Sequence, residues 1–209
     1  MPVLDFVKKG PILFIGCHPD DVELGCAGLI NKLQNSVPIY VLTLSKNQKN
    51  RKNPNLIKEH FESLKLLGVR KSNIIIGNFT TREFSYSRQE ILDFLIKIRN
   101  KIKPSCVFTH SFDLHQDHKV CHYETLSAFK TQTIIEYFIS RSMYLPKPTM
   151  FVSLTKKDLD VKINALSKYK TYKSKNYFSK DVITSLSKSQ GISFEISLCE
   201  AFNPISIKI

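Results

Sequence analysis

Residues 12–33 read ILFIGCHPDDVELGCAGLINKL. Four consecutive apolar residues, Ile12 to Ile15, predict a strand buried on both faces. Val22, Cys26, Leu29 and Leu33 then recur at helical spacing, so the chain passes from strand to helix through Gly16-Cys17-His18-Pro19-Asp20-Asp21. Outward from this unit the alternation repeats. Ile39 to Thr43 predicts a second strand, with Ile57, Phe61 and Leu64 marking its helix. Ile74 to Ile76 is a third, followed by Ile91, Leu95, Ile98 and Ile102, the clearest amphipathic helix in the chain. Cys106 to Thr109 is a fourth, with a helix from Lys119 to Lys130 after it. Continuous apolar strands separated by helices imply a mostly parallel sheet covered on both faces, with right-handed crossovers. Further on the pattern loosens: Ile134 to Ile139 and Met150 to Leu154 read as strands, Leu159, Ile163 and Leu166 as a helix, and Ile192 to Leu198 as an edge strand. With no linker and no repeat, residues 1–209 read as one α/β domain.

The composition supports a folded globular chain: 42% hydrophobic and 23% charged over 209 residues. Such values exclude disordered and low-complexity scaffolds. Five cysteines without a CxxC pair exclude a disulfide framework and a structural four-cysteine zinc site. The N-terminus lacks the pattern of a signal peptide and no apolar run is long enough to span a bilayer, so a cytoplasmic location is expected. Charge is the outlier. Lys and Arg number 31 against 18 Asp and Glu, a formal +13, which points to an anionic partner unless it serves only solubility.

Function in a doubly wound sheet sits beyond the C-terminal ends of its strands. After the first predicted strand comes His18-Pro19-Asp20-Asp21; after the fourth comes His110-Ser111-Phe112-Asp113-Leu114-His115-Gln116-Asp117-His118. In the first cluster proline fixes the turn. One imidazole and one carboxylate can then share a metal while a second carboxylate stays free beside it. His115-x-x-His118 offers a third ligand and a spare imidazole. Three mixed N/O ligands leave a position open for water, the arrangement of catalytic zinc, which brings the water's pKa to roughly 7. Taken alone, HPDD is equally a helix N-cap, and HxxH a surface helical pair. Their joint placement after two predicted parallel strands favours a metal site. His60 and His122 read as ordinary helix residues, and His110 as either core or a residue behind the ligands. No G-x-G-x-x-G, Walker or G-x-S-x-G pattern is present, which excludes dinucleotide, P-loop and serine-nucleophile chemistry.

These residues resemble the PIG-L/LmbE-like zinc-dependent N-acetylglucosaminyl deacetylases. The likeness runs from His18-Pro19-Asp20-Asp21-Val22-Glu23-Leu24-Gly25-Cys26-Ala27-Gly28, through Glu59 and Leu67-Gly68-Val69, to His115-Gln116-Asp117-His118. The helix from Lys162 to Tyr169 and Glu200-Ala201-Phe202 look like the family's tail. The resemblance implies a Rossmann-like three-layer α/β/α fold. It implies metal ligation by His18, Asp21 and His118, with zinc as the ion and ferrous iron as the alternative. It makes Asp20 the general base and His115 the general acid or an electrophile beside the oxyanion, oriented by Asp117. The reaction implied is removal of an acetyl group from an amino sugar. Two departures bear on the substrate: Leu56 stands where many relatives carry arginine, and Asp113 where some carry tyrosine.

The basic loop Lys46 to Lys52 and the Arg82 region follow predicted strands and so face the predicted mouth. Arg51, Lys52 and Arg82 are accordingly the expected contacts for a nucleotide-, lipid- or otherwise phosphate-linked amino sugar. The lysines between 156 and 180, interleaved with Tyr169 and Tyr172, read as a solvated surface rather than a nucleic-acid platform. Hydrolysis of another N-acyl or carbamoyl group at the same site is the nearest rival, and a non-catalytic module binding an anionic ligand the second. Peripheral membrane contact and self-association are compatible with the sequence.

Overall fold

The computed structural model describes residues 9–47, 54–139 and 147–208. A seven-stranded sheet carries the fold. Its strands are β1 (Ile12–Gly16), β2 (Ile39–Thr43), β3 (Ile74–Ile76), β4 (Cys106–His110), β5 (Thr133–Tyr137), β6 (Met150–Ser153) and β7 (Cys199–Ser206), in the spatial order β3-β2-β1-β4-β5-β7-β6. Pairing from β3 through β5 is parallel, and β7 runs antiparallel between β5 and β6. The helices are α1 (Asp21–Leu33), α2 (Leu56–Leu66), α3 (Arg88–Ile102), α4 (Gln116–Ala128), α5 (Lys156–Leu166) and α6 (Lys180–Ser189).

Alternate residues of each inner strand feed two separate cores, which is what makes three layers. Ile12 and Phe14 of β1 pack with Val22, Cys26 and Leu29 of α1 and Leu64 of α2. Leu13 and Ile15 pack on the other face with Ile91, Leu95 and Ile98 of α3 and Cys121 of α4. The expected α/β class with a mostly parallel sheet is therefore what the chain adopts. Two differences occur near the C-terminus. The stretch read as an edge strand at Ile192–Leu198 contains a single 3₁₀ turn over Ile192–Phe194, and the strand follows it. That strand is internal, because the short β6 covers its outer side. The helix α6 carries lysines and serines that mask its apolar stripe in the sequence. Among the described residues no helix is long and apolar enough to cross a membrane.

Helix α1 is anchored through its own backbone. The buried carboxylate of Glu200 on β7 accepts from the Gly28 and Leu29 amides at 2.9 and 2.8 Å. Lys162 of α5 donates to the Leu24 carbonyl at 2.7 Å and to Glu200 at 2.8 Å. A β-carbon at Gly28 would come within 2.7 Å of the Leu154 side chain, and one at Gly25 within 2.3 Å of the Tyr137 ring. Both glycines are needed for this close approach.

Candidate metal centre

The order of the strands reverses at β1, between β2 and β4, and a crevice opens beyond their C-terminal ends. Strand β1 delivers the turn from Cys17 to Asp20 and strand β4 delivers His110. Asp20 occupies the N-cap position of α1 but makes no capping bond with its side chain, and its φ is +112°. A non-glycine residue held in that region stores strain, a feature that concentrates at working sites.

Asp21 is the hub. Its Oδ2 accepts from the amides of Cys17 (3.0 Å) and His18 (2.7 Å) and from Nε2 of His110 (2.9 Å). Burial alone would raise its pKa, but the imidazoles of His110, His118 and His18 hold the carboxyl well below the usual range. His110 is itself pulled down to about 4, by burial and then by His118. His18 bonds through Nε2 to the Asp117 carboxylate at 2.9 Å, and His118 through Nδ1 to Asp113 at 2.8 Å. Those bonds fix the tautomers, so the lone pairs lie on Nδ1 of His18 and Nε2 of His118, 3.6 and 3.8 Å from Asp21 Oδ2. Two imidazole nitrogens and one carboxylate thus converge, each imidazole backed by its own carboxylate. This is the usual support of metal-binding histidines. Burial opposes charge on His118, but Asp21 and Asp113 raise its pKa overall, an attraction that a cation would replace.

The donor atoms of Cys17, Asp21, His110 and His118 also lie within 4.8 Å of one another. Two of these four are poorly disposed as ligands. His110 Nε2 is spent on Asp21, and burial pushes the Cys17 thiol well up, with Cys121 as its hydrogen-bond partner. His18, Asp21 and His118 could thus hold a divalent metal, with His110 behind Asp21.

His115 stands at the N-cap of α4, where its Nδ1 accepts from the Asp117 amide at 3.3 Å. The proton is then on Nε2, and burial followed by the charges of His118 and His18 lowers its pKa. The expected pairing of Asp117 with His115 takes a different form: the carboxylate bonds to His18 and to the Arg82 amide (2.8 Å), and only the backbone of Asp117 reaches His115. Burial would raise Asp117, yet those two bonds lower it.

A cavity of about 520 Å³ opens over these groups, lined by His18, Asp20, Asp21, His115 and His118, and by Asn47, Arg82, Tyr172, Lys175 and Tyr177. Arg82 lines this cavity. Arg51 and Lys52 lie outside the described residues. Tyr172 and Lys175 correct the reading of residues 156–180 as plain surface, because both line the cavity from the segment of 3₁₀ turns. Lysine–aromatic spacing was its one sequence signal. Asp113, noted only as a departure, is the partner of His118. Leu56 is buried against Tyr169 and Tyr172. His60 and His122 are more than helix filler: His60 is buried among Glu23, Tyr169 and Thr43, and His122 bonds to the His110 carbonyl.

The sequence profile of the PIG-L family, GlcNAc-PI de-N-acetylase, matches residues 13–129, more than half of the chain. The chain belongs to the PIG-L family of N-deacetylases. It is 31% identical over 174 residues to the uncharacterized deacetylase YaiS of Escherichia coli K12, an alignment covering 78% of this chain and 92% of that protein. Among solved structures, the N,N'-diacetylchitobiose deacetylase of Pyrococcus horikoshii is similar with a TM-score of 0.74 and 21% identity, over 98% of this chain and 89% of that one. The 4-carboxy-2-hydroxymuconate hydratase GalB of Pseudomonas putida superposes as well, with a TM-score of 0.75 at 13% identity, over 96% of this chain and 98% of that one. The fold of PIG-L proteins thus also serves a hydratase, so the deacetylase assignment rests on the family rather than on the fold.

Proposed function

We infer that the chain hydrolyses the acetamide of an N-acetylated amino sugar carrying an anionic group, with zinc, or ferrous iron in its place, held by His18, Asp21 and His118. The convergence of two tautomer-fixed imidazoles on Asp21 carries this reading. A metal bound there supplies Lewis acidity to the amide carbonyl and acidity to a water. Asp20, beside the ligands yet not needed as one, takes the proton as water adds to the carbonyl carbon. His115 donates from Nε2 to the oxygen as it gains negative charge, which suits the electrophilic role over the acidic one. When the C–N bond breaks, the proton held by Asp20 passes to the leaving nitrogen, giving acetate and the free amine. Zinc is the expected resident ion because the site offers mixed nitrogen and oxygen donors and room for water.

Acetate release from N-acetylhexosamines, free and phosphate-linked, tests the chemistry directly. Chelation abolishes release and added zinc restores it. Asp20→Asn retains bound metal and loses at least about 100-fold in kcat; a fully active Asp20→Asn enzyme sinks the reading.

A further inference from the structure

Lys175 is a residue of the cavity wall whose charge the proposed chemistry leaves unused and whose ammonium is seated on an aromatic ring. It sits between the 3₁₀ turns Lys170–Tyr172 and Asn176–Phe178, its amide bonded to the Tyr172 carbonyl at 2.9 Å. Its ammonium stands over the Tyr172 ring at 3.9 Å from the centroid, with the Tyr177 ring at 5.6 Å. Tyr172 is fixed in turn: it stacks on Tyr169, meets Phe178, and shares a buried cluster with Leu56. Among the described residues no carboxylate lies within ion-pair distance of Lys175, and the same holds for Arg82 on the same cavity.

We propose that Lys175, seated on the Tyr172 ring, is the receptor for an anionic group of the substrate, a phosphate or a carboxylate, bound in the cavity beside the metal residues. A lysine whose ammonium rests on an aromatic face has given up part of its hydration and rotamer freedom before the ligand arrives. An incoming anion then gains a charge-assisted hydrogen bond at reduced ordering cost. A neutral sugar gains far less from the same group. This inference deepens the deacetylase reading by naming the residue that selects the substrate, and depends on that reading only where turnover is concerned.

Its test separates the two. Binding of glucose 1-phosphate, methyl glucuronide and methyl glucoside to the zinc-loaded protein is measured by calorimetry for the wild type and Lys175→Met, which keeps most of the stem. None of these probes carries an acetamide, so binding is read without catalysis. The expected result is a loss of about tenfold or more for at least one anionic probe in the variant, and no change for the neutral one. The probe that loses more identifies phosphate or carboxylate as the natural group. In parallel, KM for an anionic N-acetylglucosamine conjugate rises by a similar factor with kcat preserved. Equal binding by wild type and variant, or equal losses for charged and neutral probes, overturns the proposal, as does absence of binding of both anions to the wild type. Anion binding that depends on Lys175 without acetate release refutes the deacetylase reading and leaves the receptor standing.

Discussion

The carboxylate of Asp117 lies 2.9 Å from Nε2 of His18, tying the first turn of α4 to the turn after β1. The same oxygen accepts the Arg82 amide at 2.8 Å. One side chain thereby sets the ring orientation of a proposed ligand and anchors a loop of the cavity wall.

Removing that carboxylate should act on the metal before it acts on the fold. Asp117→Ala is expected to weaken zinc binding about 10- to 100-fold, measured by competition with a chelator. Asp117→Asn, which still offers an oxygen to His18, should lose less. Unchanged affinity in Asp117→Ala would show that His18 is positioned by something else.

Asp20 holds a φ of +112°, so function and stability should part company at this position. Asp20→Gly relieves the backbone and is expected to be more stable than Asp20→Ala by about 1–2 kcal/mol in urea unfolding. Neither variant should release acetate at a useful rate. Equal stability of the two would mean that the conformation costs nothing.

The ion pair of Lys162 and Glu200 is buried against the backbone of α1. Lys162→Met strands the Glu200 carboxylate and should cost about 3–5 kcal/mol. Adding Glu200→Gln to it should recover part of the loss, because the remaining buried group is then neutral. A denaturation series on the two variants and the wild type measures both quantities.

Acid should loosen the start of α5. Thr155 and Asp158 form a capping box, and Asp158 also accepts from Asn31. Burial would raise the pKa of Asp158, but the Thr155 backbone and hydroxyl, Asn31 and Lys32 lower it below its ordinary 3.8. Its contribution is therefore present above about pH 4 and lost as pH falls through the depressed folded value. Asp158→Asn should be less stable than wild type by about 1 kcal/mol at pH 7, with the gap closing toward pH 3.

The first four parallel strands were legible because each is a short apolar run followed by a helical stripe, and a strand buried on both faces leaves no alternation to misread. The C-terminal third was harder. There β7 alternates apolar residues with Glu200, Asn203 and a proline, and its identity depends on pairing with strands far away in sequence. At the site, His18, Asp20, Asp21, His115 and His118 announced themselves by residue type and spacing. The partners of Asp117 could not be read that way: which imidazole a carboxylate meets across 99 residues is decided by the packing of α4 on the sheet. Nor could Lys175, one lysine among 31 basic residues, be told from its neighbours before the turns around it were known.

Residues 13–129 contain every proposed metal ligand and its supporting carboxylate, whereas Tyr172, Lys175 and Tyr177 reach the cavity from outside that stretch. On the proposed reading, the hydrolytic groups lie in the first stretch, while Lys175 adds a selecting contact from the second. If that contact selects the substrate, the segment from 170 to 178 can be redrawn to change which anionic group is accepted while the hydrolytic groups stay as they are. Wholesale exchange of the C-terminal third would not be as forgiving, since Lys162 and Glu200 hold α1, and with it Asp20 and Asp21, from that same third.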